Sequence, residues 1–152
     1  LDRGVRLPRP LSPHLAARLA GASIALDEGV GCAGSALARD FWVVEGAGGV
    51  LVPVNDRDLM VDLMRLLGMP VVVVARTALG TINHTLLTVC QAQAQGLTVA
   101  GVILNDTTGH RGLAERTNAR AISQFCEVPL LGVVAHNAGI PRRLFHALFP
   151  TC

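Results

Sequence analysis

The second half of the chain alternates short apolar runs with longer stretches in which apolar residues recur every three or four positions. The runs are Val71 to Ala75, Leu97 to Leu104 and Pro129 to Val134, each of strand length. A continuous run without polar alternation predicts a strand covered on both faces. Between the runs, Thr81 to Gln95 (with a stop at Gly96) and Arg111 to Phe125 predict helices, and Pro141 to Phe149 predicts one more short helix. Strands alternating with helices mean βαβ units. The expected fold is therefore α/β, an open parallel sheet with helices on both faces, in a single domain over residues 1–152.

The first half is less regular. A proline-rich entry, Leu1 to Pro13, reads as extended or irregular. A short helix is expected from His14 to Leu19, closed by Gly21, and weak helix from Ala25 to Arg39, where three glycines intervene. Phe41-Trp42-Val43-Val44-Glu45 is an apolar, strand-like run ending on a carboxylate; Gly46-Ala47-Gly48-Gly49 breaks it, and Val50 to Pro53 reads as a second extended piece. Leu59, Met60, Leu63, Leu66 and Leu67 recur at helical spacing, with Gly68 as the C-terminal stop and Pro70 beyond it.

Composition narrows the chemistry. Half of the 152 residues are apolar, so a core is readily built, yet there are only four Phe, one Trp and no Tyr. That scarcity of aromatic faces argues against a stacking platform for single-stranded nucleic acid. A formal net charge of +2, with no basic run beyond Arg142-Arg143, gives nucleic acid and membrane surfaces little to bind. All 13 basic residues are Arg, so no mechanism that needs a lysine can be completed by this polypeptide alone. Cys32, Cys90, Cys126 and Cys152 form no CxxC pair and read as free thiols, which suits a cytoplasmic location. The longest apolar run is too short to span a bilayer. Nothing resembles a signal peptide. The first residue is Leu, and the natural start is expected upstream of it.

Ligands of open parallel sheets sit beyond the carboxyl ends of the strands. Glu45, ending an apolar run before a small-residue loop, suits Mg²⁺ beside phosphates; a carboxylate there more often pairs with an arginine or caps amides. Gly46 to Gly49 allow close approach of a ligand or simply form a tight turn. The sequence has no GxxxxGK[ST] phosphate loop. Leu79-Gly80-Thr81-Ile82-Asn83 opens a helix after a buried strand, where free amides make an anion site, unless Thr81 or Asn83 only caps that helix. Asn105 ends a strand with an amide able to read an adenine edge or to form a turn. The histidines His14, His84, His110, His136 and His146 show no metal-ligand spacing and read as surface, capping or packing residues.

In order, these pieces resemble the dethiobiotin synthetase family. Val44 to Gly49 with Pro53 resembles its VEGAGG-x-x-x-P signature. Leu79 to His84 with Leu86, Leu87 and Thr88 resembles its LGTINHxLLT segment. Gly96-Leu97 through Gly101-Val102-Ile103-Leu104-Asn105, Val128 to Gly132, and Pro10 to His14 are similar to three further family blocks. Together they cover the chain from about Pro10 to Val134.

The resemblance implies a P-loop NTPase-like fold and an ATP- and Mg²⁺-dependent ligase of biotin biosynthesis. Its substrates would be 7,8-diaminopelargonate and CO₂: the carbamate is phosphorylated, and the neighbouring amine closes a ureido ring by displacing phosphate. By resemblance, Glu45 is a Mg²⁺ ligand. Glu45, Gly46, Gly48, Gly49, Asn105, Pro129 and Leu131 are nucleotide-binding. Gly80, Thr81, Ile82 and Asn83 take the substrate carboxylate across a homodimer interface. The family's first strand, its phosphate loop and its catalytic lysines have no counterpart here, so the chain by itself is expected to be inactive. The alternative is a non-catalytic paralogue that keeps the dimer surface and the carboxylate site.

Overall fold

The computed structural model describes residues 5–27 and 42–148. They fall into two compact units, residues 1–69 and residues 70–152.

In the first unit, helix α1 (Pro13–Leu19) starts on a proline, whose fixed φ and missing N–H suit the first helical position. It buries Ala16 and Ala17 and ends at Ala20, with Gly21 at φ 65° turning the chain away. Helix α2 (Met60–Leu67) ends on Gly68 at φ 62°, the left-handed stop that its sequence predicts. At its start the Asp62 carboxylate accepts the Leu59 amide at 2.8 Å, which places a negative charge at the positive end of the helix. Leu26, Val54 and Met60 form the core, with Ile24, Leu63 and Met64 packed against it.

Two expectations fail in this unit. Trp42 to Glu45 carries no strand, and Phe41 lies outside the described residues. A strand needs a ladder, and the only bridge among the described residues of the unit is the isolated pair Pro53 and Leu59. Val50 to Pro53 is also not an extended strand: Val50 and Leu51 form a turn. The carbonyls of Val50 and Val52 are committed to α2, accepting the amides of Val61 at 2.9 Å and Met60 at 2.8 Å. Of the weak helix expected over Ala25 to Arg39, Leu26 and Asp27 are helical and residues 28–39 lie outside the described set.

The second unit follows its sequence pattern closely. Its order is β1 (Val71–Arg76), α3 (Thr81–Ala94), β2 (Val99–Asn105), α4 (Leu113–Phe125), β3 (Leu130–Val134) and α5 (Arg142–Leu148). The three strands are parallel, in the spatial order β1-β2-β3. Successive crossovers advance in one direction across the sheet, so α3 and α4 share a face. There Val73, Val89, Val102, Leu104 and Ile122 make the core. On the other face Leu144 of α5 lies against Gly132.

Coverage differs along the sheet. In β2, Gly101 to Leu104 are all buried, as a strand enclosed on both faces requires. β1 departs from that expectation, because Val74 is 64% exposed. It is an edge strand of this sheet, and α3 covers only the side that carries Val73.

The ladders slip once on each side of β2: Val71 pairs with Val99 but Val72 with Gly101, and Val102 pairs with Leu130 but Ile103 with Gly132. Gly101 sits at the slip with φ 157°, and a Cβ there would stand 2.7 Å from both the Pro129 carbonyl oxygen and Leu131 Cγ. That same carbonyl accepts the Val102 amide at 2.9 Å, so it cannot withdraw without breaking a buried bond. We expect Gly101→Ala to destabilise the fold by roughly 1–3 kcal/mol, the cost of overpacking a filled site. Thermal unfolding would measure it, and an unchanged midpoint would refute the close-approach reading.

Candidate functional site

The carboxyl ends of the three strands finish level. Arg76 pairs with Asn105, and Asn105 with Val134, in consecutive register. Parallel pairing therefore gathers three loops at one edge: Thr77 to Gly80, Asp106 to Gly112, and Ala135 to Pro141. This is the edge at which open α/β sheets hold ligands.

The first loop leads into α3. Gly80, at φ 89°, is the residue before the helix, and no side chain caps it; neither Thr81 nor Asn83 serves as the cap. Thr81 is buried instead, its hydroxyl 3.4 Å from that of Thr85. The Thr81 amide donates to the Ala78 carbonyl at 3.2 Å and the His84 amide to the Gly80 carbonyl at 3.2 Å. Between them, the amides of Ile82 and Asn83 are those that the helix start leaves for an outside acceptor. Helix α2 is the opposite case: Leu59, Met60 and Val61 all donate within their own unit, so its start is closed.

One residue that the sequence reading missed holds this loop. Asn118, in the middle of α4 and 5% exposed, donates through Nδ2 to the carbonyls of Thr77 at 2.8 Å and Ala78 at 3.2 Å. The available signal was an asparagine four residues before Ile122 on the buried face of a helix. Asparagine is a poor helix former there unless its amide has a tertiary task.

In the second loop Asn105 ends β2 half-buried, and Asp106 ties the turn together. The Asp106 carboxylate accepts the amides of Gly109 at 2.8 Å and Thr108 at 3.1 Å. Those two bonds, the Gly109 bond first, hold it below its ordinary pKa of 3.8, and the charge of nearby His136 acts in the same direction. His136 belongs to the third loop, and its ring lies over Gly109, with Cδ2 3.0 Å from where a Cβ would stand.

The other predicted residues fall elsewhere. Glu45 is exposed in the first unit, and among the described residues no arginine or backbone amide engages its carboxylate. Its lone carboxylate fits a hard cation that keeps waters and phosphate oxygens as its other ligands. No group of three or more metal-ligating side chains gathers among the described residues. Gly46 lies against Met60 and Met64, and Gly48 at φ 88° turns under Val52. Gly49 is open and exposed. Pro129 and Leu131 flank the start of β3, whereas Asn105 is level with its end. Three residues of strand, about 10 Å, separate Leu131 from that level. No described helix is long and apolar enough to cross a membrane.

A lowered carboxylate pKa fixes the pH sense of the Asp106 turn. The two bonds contribute fully above 3.8 and are lost as pH falls through the lower value of the folded state. NMR titration should therefore show the Gly109 and Thr108 amides shifting together with the Asp106 carboxyl below pH 3.8. A common midpoint at or above that value would contradict the geometry.

Comparison with known proteins supplies the family. A sequence model described as AAA domain matches residues 1–142. The chain is 43% identical over 125 residues to the ATP-dependent dethiobiotin synthetase BioD of Bacillus licheniformis, covering 82% of this chain and 53% of that protein. The protein of the same name from Anoxybacillus flavithermus is 43% identical over 132 residues, 86% of this chain and 60% of that one. That of Bacillus subtilis strain 168 is 37% identical over 134 residues, 88% and 58%. The chain thus spans between half and two-thirds of the length of these curated relatives. Three parallel strands in an open sheet with helices on both faces are a P-loop NTPase-like α/β arrangement, and with that match the chain belongs to the AAA domain family, among relatives named dethiobiotin synthetase.

Proposed function

We propose that this chain is the part of an ATP-dependent dethiobiotin synthetase that reads the nucleotide base and holds the substrate carboxylate. The overall reaction joins 7,8-diaminopelargonate and CO₂ into a ureido ring, with ATP going to ADP and phosphate. The observation that carries the reading is the start of α3. In a chain up to 43% identical to proteins of that name, Gly80 to Asn83 open a helix at the ligand edge of the sheet with two amides uncommitted. A helix start of this kind, with its dipole, favours a carboxylate.

The other roles follow from the same resemblance. Asn105 offers its side-chain amide to the adenine edge, which has one donor and one acceptor for it. Pro129 and Leu131 act on the nucleotide through the strand, setting the register that brings the end of β3 beside Asn105. Gly46, Gly48 and Gly49 let a phosphate-bearing ligand approach the backbone. Glu45 would hold Mg²⁺, which when bound neutralises phosphate charge. A cytoplasmic homodimer completes the reading, supported by Leu79 and Leu87, which lie 88% and 60% exposed at and along α3. Exposed leucines of that size favour a covering partner.

The chemistry still lacks a lysine and a phosphate loop at the transferring phosphoryl group. Phosphoryl transfer relies on positioned cations and loop amides, lysine prominent among them, and this sequence has no lysine and no GxxxxGK[ST] motif. We therefore expect the purified 152-residue chain to form no dethiobiotin from ATP, CO₂, Mg²⁺ and diaminopelargonate. The protein as its own cell makes it should do so if it carries that motif. In that active protein Glu45→Gln should lower kcat by roughly a hundredfold, and Asn105→Ala should raise KM for ATP by roughly tenfold. Turnover by the lysine-free chain, or wild-type kinetics in both variants, would refute these assignments.

A further inference from the structure

The contact between α4 and the β1–α3 loop assigns Asn118 a part in ligand binding that rests on the reading above. We propose that Asn118 is the positioning residue of the carboxylate site: it keeps the Ile82 amide at the start of α3 free of its intrachain acceptor.

The argument is one of competing acceptors. In a regular helix the amide of residue i bonds to the carbonyl of residue i−4. If the chain wound into helix one turn earlier, the carbonyls of Thr77 and Ala78 would be the acceptors for the amides of Thr81 and Ile82. The Asn118 Nδ2 group donates to both of those carbonyls, at 2.8 and 3.2 Å. Thr81 turns to Ala78 in a tighter bond of 3.2 Å, and Gly80 adopts φ 89°, which stops the helix from extending backwards. The Ile82 amide is thus kept from its intrachain acceptor and left to a ligand.

Burial makes the arrangement stiff. Asn118 and Thr77 are 5% and 6% exposed, so water does not readily replace either partner. The side chain reaches across 41 and 40 positions of sequence to these two carbonyls, which ties the loop to a different helix rather than to its own. Ile122, one turn further along α4 and fully buried in the core, fixes the helix that presents Asn118. The geometry therefore transmits the packing of α4 to the angle of the α3 start, and Asn118 itself need not touch the ligand.

The test uses Asn118→Leu, which keeps the approximate size but removes the donor, and Asn118→Ala, which removes both. Calorimetry would compare binding of diaminopelargonate with binding of its methyl ester, which lacks the carboxylate, in the protein as its own cell makes it. Wild type should prefer the acid, and both variants should lose roughly tenfold or more in affinity for the acid. Their affinity for the ester should stay near that of wild type. A general loosening of the fold would weaken acid and ester alike, and that result would overturn the proposal, as would unchanged affinity for the acid. Failure of the wild type to bind diaminopelargonate at all would remove the substrate reading beneath it, and so distinguishes the two failures.

Discussion

Strand β2 is enclosed by a neighbour on each edge and by apolar side chains on each face, and the second unit depends on that enclosure. Val102 and Leu104 are almost wholly buried against α3 and α4, while Ile103, also buried, lies on the opposite face and pairs with Gly132. Burying such side chains contributes about 1.5–3 kcal/mol each. It also removes water from the backbone between them, so every amide and carbonyl there must be met by β1 or β3. The register is thereby fixed, and with it the level at which the three strands end. That common level puts Asn105, the Thr77–Gly80 turn and the His136 loop on one edge.

Polar side chains then set what the edge can do. Few of them are charged pairs: among the described residues Asp62 and Arg65 approach at 3.9 Å, and an exposed pair of that kind contributes little. The effective contacts run from side chain to backbone. Asn118 holds the carbonyls of Thr77 and Ala78, Asp106 holds the amides of Gly109 and Thr108, and in the first unit Asn55 plays the same part. The Asn55 amide donates to the Ile24 carbonyl at 3.0 Å and its oxygen accepts the amides of Arg57 and Asp58. Such bonds define a loop better than an ion pair does, since a buried backbone group without its partner costs about 1–3 kcal/mol.

Helices α2 and α3 show how the same local element takes opposite roles. Helix α2 starts with its amides filled by Val50, Val52 and Asp62, so it is closed to ligands. Helix α3 starts on a glycine, with the nearest carbonyls taken by another helix, and so is open. An element's helical pattern is therefore silent on whether its start binds anything. The answer lies in which acceptors the rest of the fold has already claimed.

Much of the second unit was legible in the sequence for a direct reason. Apolar runs of strand length, helical periodicity and the stop at Gly96 are local signals, and each gave its element to within a residue or two. The family blocks, VEGAGG and LGTINH, were legible as short ordered motifs. The first unit was less so. Trp42 to Glu45 has the composition of a strand, but composition cannot supply the neighbour that a ladder requires. Nor could periodicity tell that Val74 stays exposed, because an edge strand and a central strand share one pattern. In the second unit the sequence alone determined which segments form helix and strand and which residues stand at the strand ends; along the whole chain it also shows that no lysine is present. Tertiary structure alone decided that Asn118 governs the start of α3 and that Gly101 must lack a side chain, because both depend on residues brought together from distant positions by packing.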